Sequence, residues 1–302
     1  MLYVAQTALE LGFQYALVAM ALFLSYRVLD IADLTTDGCF VLGCAVSVTL
    51  TAAGHPFLAI PAAMLAGACA GFVTAFLQTK LGVPSILAGI VTNTGLYTVN
   101  LMAMGWKANQ SLLKQDTIFT LFRATGIGGD WNPILLSGGI TVLAGVLLVA
   151  FLGTRLGLSI RATGDNRDMV SASSINPAFT TTVGLCLSNA VVALSGALIA
   201  QYQKFADNTL GTGMVVIGLA SLIIGEVLFG RGGPHALAKG VLAATVGAVV
   251  YRIIVAAAIA VNIDAKNMKL VSALIVAAAI SYPAIRDKVL FYRKRREANR
   301  NV

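Results

Sequence analysis

Asn93, Tyr97 and Asn100 recur at i, i+4 and i+7 inside an otherwise apolar run, a spacing that sets two amides and a phenol along one stripe of a helix. Polar side chains of this kind are disfavoured against hydrocarbon. Such a stripe therefore either hydrogen-bonds a neighbouring helix or lines a wet path for a solute. Ser188, Asn189 and Ser195, with Gln201 further along, repeat the pattern more loosely and leave the same two readings open. Missing motifs narrow the chemistry. There is no G-x-x-x-x-G-K-[ST] phosphate loop, no H-E-x-x-H, no paired C-x-x-C and no G-x-S-x-G elbow. His55 and His235 stand beside prolines at the edges of apolar runs, too sparse for a proton relay or a metal site. Cys39, Cys44, Cys69 and Cys186 lie within apolar segments without ligand spacing and read as buried thiols acting as small hydrophobes. Neither a metal, a cofactor nor a catalytic group is expected.

The elements that must hold these residues follow from composition. Of 302 residues, 58% are hydrophobic and 11% charged, with a mean hydropathy of +0.84. Soluble domains carry about 25% charged residues, so a water-facing surface cannot be covered here. The apolar residues fall in runs of roughly 20, the length a helix needs to cross a hydrocarbon core about 30 Å thick. The expected fold is all-α, a polytopic transmembrane helical bundle of about nine spans, within a range of eight to ten. The spans are 7–26, 36–52, 56–78, 83–105, 133–153, 179–201, 213–230, 235–260 and 268–285. The second and seventh are short and glycine-interrupted, so either is a candidate broken or re-entrant helix. Asp37 through Gly43 to Gly54-His55-Pro56 and Gly71 resembles Asp207 through Gly218 to Gly233-Pro234-His235 and Gly247, in opposite directions across the membrane. Inverted repeats with helices broken at corresponding positions are a transporter signature.

Charge sets the orientation. Placing the tail after Tyr282 inside gathers fourteen lysines and arginines on one side against six on the other, and seven of the fourteen belong to the tail itself. The basic stretch 286–302, with Arg293-Lys294-Arg295-Arg296, reads as an anchor at anionic lipid and not as a nucleic-acid site. The first run, lacking a basic leader and carrying Glu10, reads as a retained span. Residues 1–285 form the membrane domain. An outer connection, Gly105–Asn132, has room for a short interfacial helix. An ion-coupled carrier would hold acidic side chains at membrane depth. The charged residues within the spans are the acids Glu10 and Glu226 and the base Arg252, and Arg252 falls roughly 25 Å from the inner end of its helix at 1.5 Å per residue, too far to pair with Glu226. It either snorkels outward or faces a wet cavity.

The inner connection, 154–178, is the most polar internal segment. Asp165 or Asn166 can cap a short helix whose first turn holds Asp168, and Pro177 restricts its continuation. This helix is either a plain polar connector or a knob for a soluble partner.

At this loop the chain resembles a known family. The run Gly157-Leu158-Ser159-Ile160-Arg161-Ala162-Thr163-Gly164-Asp165-Asn166, with Ala172 and Ile175, is similar to the coupling segment of permeases in the branched-chain amino acid and ribose class of ABC importers. Asp37-Gly38-Cys39-Phe40-Val41-Leu42-Gly43 and Gly211-Thr212-Gly213-Met214 through Ile223-Ile224-Gly225-Glu226 also match, in the same order. Arg27 through Thr35 and Gln201 through Asp207 look like the subgroup that includes tryptophan-type importers. The resemblance implies a permease with no ATP site of its own, in the bacterial inner membrane. Two permease subunits, expected as a homodimer, would work with two cytoplasmic ABC ATPases and an extracytoplasmic substrate-binding protein. It implies an ATPase-coupling surface at Arg161, Ala162, Gly164, Asn166, Arg167, Asp168 and Met169. Independently of it, Gly211 and Gly213 can break the backbone near the outer face, where with Asp207 they are a candidate gate. The sequence does not name the solute; the resemblance favours an amino acid such as tryptophan, with nucleosides or vitamins as alternatives. The rival class is an ion-coupled secondary carrier.

Overall fold

The computed structural model describes residues 2–124, 126, 129–230, 232, 236–260, 270, 273–278 and 281. The chain is built almost wholly of helices: α1 (Leu2–Leu22), α2 (Thr36–Ala52), α3 (Pro56–Thr79), α4 (Ser85–Ala103), α5 (Ile118–Ala124), α6 (Asn132–Leu152), α7 (Arg155–Asp165), α8 (Arg167–Ala172), α9 (Pro177–Gln203), α10 (Met214–Phe229) and α11 (Ala236–Ala260). Six helical stretches among the described residues are long and apolar enough to cross a membrane, and α2 and α10 are shorter apolar helices. These eight coincide with the first eight expected spans. The ninth, 268–285, lies mostly outside the described residues, as do Arg231, the Gly233-Pro234-His235 part of the repeat and the basic tail. The connection Gly105–Asn132, expected to have room for a short helix, holds α5. Beyond the all-α expectation, β1 (Asn109–Ser111) pairs antiparallel with β2 (Phe205–Asp207), tying the connections that follow α4 and α9.

Buried backbone approaches fix the topology. α1 and α9 are covered over most of their length, whereas α3, α4, α6 and α11 expose most of theirs, including Leu65, Phe72, Ile90, Leu143 and Ile254. Ser188 Oγ donates to the Ala21 carbonyl and Ser195 Oγ to that of Gln14, so α1 and α9 run antiparallel. Along α9, Gly43 abuts Ala193 and Ser47 bonds the Ala197 carbonyl, so α2 runs parallel to it. α3 runs antiparallel to α9, with Gly67 at Asn189 and Gly71 at Leu185. The same relations recur around α1. α10 runs parallel to it, from Gly218 against Val18 and Leu22 to Glu226 against Arg27. α11 runs antiparallel, with Gly240 on Phe23 and Gly12 on Val249. Exchanging α1 with α9, α2 with α10 and α3 with α11 reproduces the arrangement upside down, the geometry of an inverted repeat.

Both short helices begin at half depth. α1 ends in a six-residue π-helical turn, Phe23–Val28, and residues 29–35 then climb without helix, Leu29 lying at Gly184 and Asp33 Oδ2 accepting from Asn189 Nδ2 at 2.7 Å. Asn189 is about 18 Å along α9, which spans about 40 Å. α2 starts there. On the other side β2 leads down to Gly213, whose φ of +88° turns the chain into α10. The Asp37 carboxylate, in the first turn of α2, accepts from Gly213 N (3.0 Å) and Val215 N (2.9 Å). Two orphan donors at the start of α10 are thus capped by a side chain from another helix.

Close approach is set by missing side chains. A Cβ on Gly196 would overlap the Phe40 carbonyl, and one on Gly225 the carbonyl of Ala243. We expect Gly196→Leu or Gly225→Leu to cut the yield of monodisperse protein in detergent severalfold, since overpacking costs about 1–3 kcal/mol or more. Gly139→Leu, on the open face of α6, leaves the yield unchanged, and size-exclusion chromatography reads the contrast. Asp37→Ala removes both acceptors and lowers the apparent melting temperature further than Asp37→Asn, which keeps one; helix caps of this type contribute about 0.5–2 kcal/mol.

Candidate functional site

Where the two short helices begin, α4 passes with its polar stripe, and a cleft of about 350 Å³ opens between them. Asp37, Asn93, Tyr97 and Asn100 line it together with Asn208, Gly211 and Thr212. The stripe expected on α4 is therefore brought to one place. Asn100 is 1% exposed, and its Nδ2 donates to the Gly38 carbonyl at 3.1 Å. Asn93 turns its amide oxygen against Gly38, where a Cβ would overlap it. Tyr97 is 56% exposed, and its backbone carbonyl accepts from Asn208 Nδ2 at 3.4 Å. Gly211 abuts the Asp37 carbonyl so closely that no side chain fits.

The four candidates on α9 do not line this cleft. Ser188 and Ser195 bond α1 carbonyls. Asn189 bonds Asp33 and the Leu185 carbonyl. Gln201 Nε2 donates to Ser47 Oγ and the Pro56 carbonyl, while its Oε1 accepts from Ile118 N. All four are 0–1% exposed. On α9 all four are taken up in hydrogen bonds to neighbouring elements, whereas on α4 Asn100 bonds α2 and Tyr97 stays exposed, because α9 is enclosed by α1, α2 and α3 and α4 is not.

The expected gate also separates. Gly211 and Gly213 lie at half depth beside Asp37, deeper than the outer face expected for them, because the chain descends after β2 before α10 starts. Asp207 remains in β2, where its carboxylate accepts from the Thr209 amide and hydroxyl. Asn208 and Thr212 were missed by the sequence reading. No periodicity marks a descending connection, although its polar residues between two apolar helices were a signal.

At the far end of α10 lies a second polar cluster. Arg27 reaches Glu226 through both Nε (2.6 Å) and Nη2 (2.7 Å), a bidentate pair spanning 199 residues of sequence. Arg161, Asp165 and Lys239 join them around a cavity of about 240 Å³. Glu226 thus pairs with Arg27 and not with Arg252, in keeping with the depth argument. Arg252 places its guanidinium 3.6 Å from the Tyr15 ring centre, a cation–π contact that neither snorkelling nor a wet cavity anticipated. Glu10 accepts a hydrogen bond from the Tyr202 hydroxyl. Cys39 and Cys44 are buried as expected, but Cys69 is exposed on α3 and Cys186 half-exposed, since the helices that carry the last two turn those faces away from the core.

The connection 154–178 forms two helices where one was expected. Thr154 caps α7 by accepting from Gly157 N, and Asn166 caps α8 by accepting from Met169 N at 3.0 Å. Asn166, Arg167, Asp168 and Met169 are exposed. Arg161, Ala162 and Gly164 instead lie on α7, half-buried. Gly164 rests on the Val28 carbonyl so tightly that a Cβ would overlap it, and Thr163 shares a hydroxyl–hydroxyl bond of 2.7 Å with Thr180 at the base of α9. The seven residues divide into an outward tip and an inward seat.

Comparison with known proteins agrees with this architecture. Residues 5–280 match the family described as the branched-chain amino acid transport system permease component. A tyrosine transport system permease protein of Clostridioides difficile (strain R20291) is 32% identical over 267 residues, which cover 88% of this chain and 86% of the relative. An autoinducer 2 import system permease protein of Escherichia coli O9:H4 (strain HS) is 31% identical over 185 residues, 60% of this chain and 51% of its own. In fold alone, the structure of PsaBC from Streptococcus pneumoniae in complex with Fab is similar, with a TM-score of 0.51 at 13% identity over 91% of this chain and 89% of that one. The chain belongs to the permease family of ABC importers typified by branched-chain amino acid transport.

Proposed function

We infer that this chain forms the translocation path for a small solute, an amino acid with an aromatic side chain being favoured, and that a separate ATPase drives it by alternating access. The observation that carries the reading is the continuity of α10: its start is capped by Asp37 in the polar cleft, and its end is held by Arg27 beside the seat of α7. An apolar helix of 16 residues, about 24 Å long, therefore links the cleft to the α7–α8 end. The resemblance to a tyrosine transport permease supports the amino acid class.

In this reading the α7–α8 end faces the cytoplasm, in the inner membrane, with the C-terminal tail on the same side. The tip formed by Asn166, Arg167, Asp168 and Met169 docks into an ATPase. Closure of two ATPases pushes α8, and α7 passes the displacement to α1 through Gly164 on Val28, and to α9 through Thr163 on Thr180. Because Arg27 and Glu226 join the ends of α1 and α10, α10 moves with them and the cleft opens to one side at a time. Two copies of this chain enclose the path, and a binding protein delivers solute from outside. The path is assigned to Asp37, Asn93, Tyr97, Asn100, Asn208 and Thr212.

The division of α7 from α8 separates two effects. Asp168→Lys, at the exposed tip, lowers co-purification with the ATPase severalfold. Arg161→Glu, in the cavity beside Arg27 and Glu226, leaves co-purification intact and cuts the stimulation of ATP hydrolysis by loaded binding protein about tenfold. Pull-down and ATPase assays on the same reconstituted complexes read both. Normal coupled uptake in the two variants would remove the docking claim, and uptake by the purified chain without any ATPase would remove the reading as a whole.

A further inference from the structure

The amides of Asn100 and Asn208 are held by their nitrogens. Asn100 Nδ2 donates to the Gly38 carbonyl and Asn208 Nδ2 to the Tyr97 carbonyl. A carbonyl can only accept, so each amide has one permitted orientation, and its oxygen is the atom left over. Both oxygens are buried without a donor among the described residues, in side chains 1% and 9% exposed. An orphaned acceptor of this kind costs about 1–3 kcal/mol unless something donates to it. Both residues line the cleft that also holds the Asp37 carboxylate. The anion position at the start of α10 is already filled by that carboxylate, so the helix terminus offers little to an anionic solute. The residues that line the cleft accordingly hold two unsatisfied acceptors, occluded from solvent until a side chain turns toward the cleft, beside one carboxylate.

Resting on the reading of this cleft as the solute path, we propose that Asn100 Oδ1, Asn208 Oδ1 and Asp37 select for a cationic N–H donor, so that a passing solute presents a primary ammonium group at half depth and carboxylate or phosphate groups are turned away from it. The two amides satisfy the ammonium hydrogens that hydration would otherwise hold, and Asp37 supplies the counter-charge. The geometry recognises the donor, not the remainder of the solute. An amino acid therefore passes ammonium first or with its ammonium turned to α4 and α10.

Thiol labelling tests this without ATPase or solute. Thr212 lines the cleft and is exposed. A Thr212→Cys chain carrying Cys69→Ser and Cys186→Ser, in lipid nanodiscs, is labelled with methanethiosulfonates bearing aminoethyl, trimethylammonioethyl or sulfonatoethyl groups. Each rate is divided by that reagent's rate with free 2-mercaptoethanol. The aminoethyl reagent is expected to exceed the sulfonate by about tenfold or more, as Coulomb attraction in a partly dry cleft requires, and to exceed the trimethylammonium reagent about threefold, since only it can donate hydrogen bonds. Asn208→Leu abolishes the second preference and keeps the first, whereas Asn208→Asp keeps both. Equal rates for cation and anion, or no reaction with any reagent, overturn the proposal. A preference for aminoethyl over trimethylammonium that survives Asn208→Leu overturns the assignment to Asn208. Failure of the transport reading shows separately, as absence of ATP-driven uptake by the assembled complex.

Discussion

One carboxylate joins the two halves of this protein. Asp37 belongs to the first turn of α2, yet its oxygens cap α10, which lies 176 and 178 residues away in sequence at the capped positions. Two helices that start at half depth leave unpaired backbone donors inside an apolar bundle, where each costs several kcal/mol. Bringing the two starts together lets one side chain meet part of that demand. The cleft exists because both helices start there, and it is polar because irregular backbone within a membrane is tolerated where it is buried or lines water. Structure and candidate function therefore share an origin.

The surrounding bundle makes this break affordable by small-residue packing. Gly43 and Gly196 bring α2 onto α9, while Gly225 and Gly247 bring α10 onto α11, backbone against backbone. Hydrocarbon is as apolar as leucine, so close packing and buried hydroxyl or amide bonds must supply what the hydrophobic effect supplies in water. The bonds from Ser47, Ser188, Ser195 and Gln201 do this. With α1 and α9 fixed as a central antiparallel pair, the short helices are the elements left with polar contacts at both ends, Asp37 at one and Arg27 at the other in the case of α10.

Much of this was legible in the sequence because it rests on local patterns. Apolar run length placed α3 at 56–78 against an observed Pro56–Thr79, and α6 at 133–153 against Asn132–Leu152. The glycine breaks marked α2 and α10 as short, and the inverted relation between them was visible as a weak internal likeness. Asp165 or Asn166 ahead of Asp168 announced a helix cap, and Asn166 is the one that caps α8. What the sequence did not disclose depends on distant partners. Nothing local joins Arg27 to Glu226 or Asn109 to Asp207, and no spacing tells a polar residue on an enclosed helix, such as Asn189, from one on an open helix, such as Asn93. Likewise the depth of Gly213 follows from the descending connection after β2, which has no period to read.

The central claim is that nucleotide-driven motion at the α7–α8 end reaches the cleft through α10. Pulsed electron–electron double resonance between spin labels at Thr94 on α4 and Thr212 before α10, both of which line the cleft, measures that motion in the complex reconstituted with its ATPase. The account predicts that trapping ATP shifts the intrachain distance distribution, and that Arg27→Gln, which breaks the link to Glu226, abolishes the shift while ATP still binds. An unchanged distribution in the intact complex, or a shift that persists in Arg27→Gln, would contradict it.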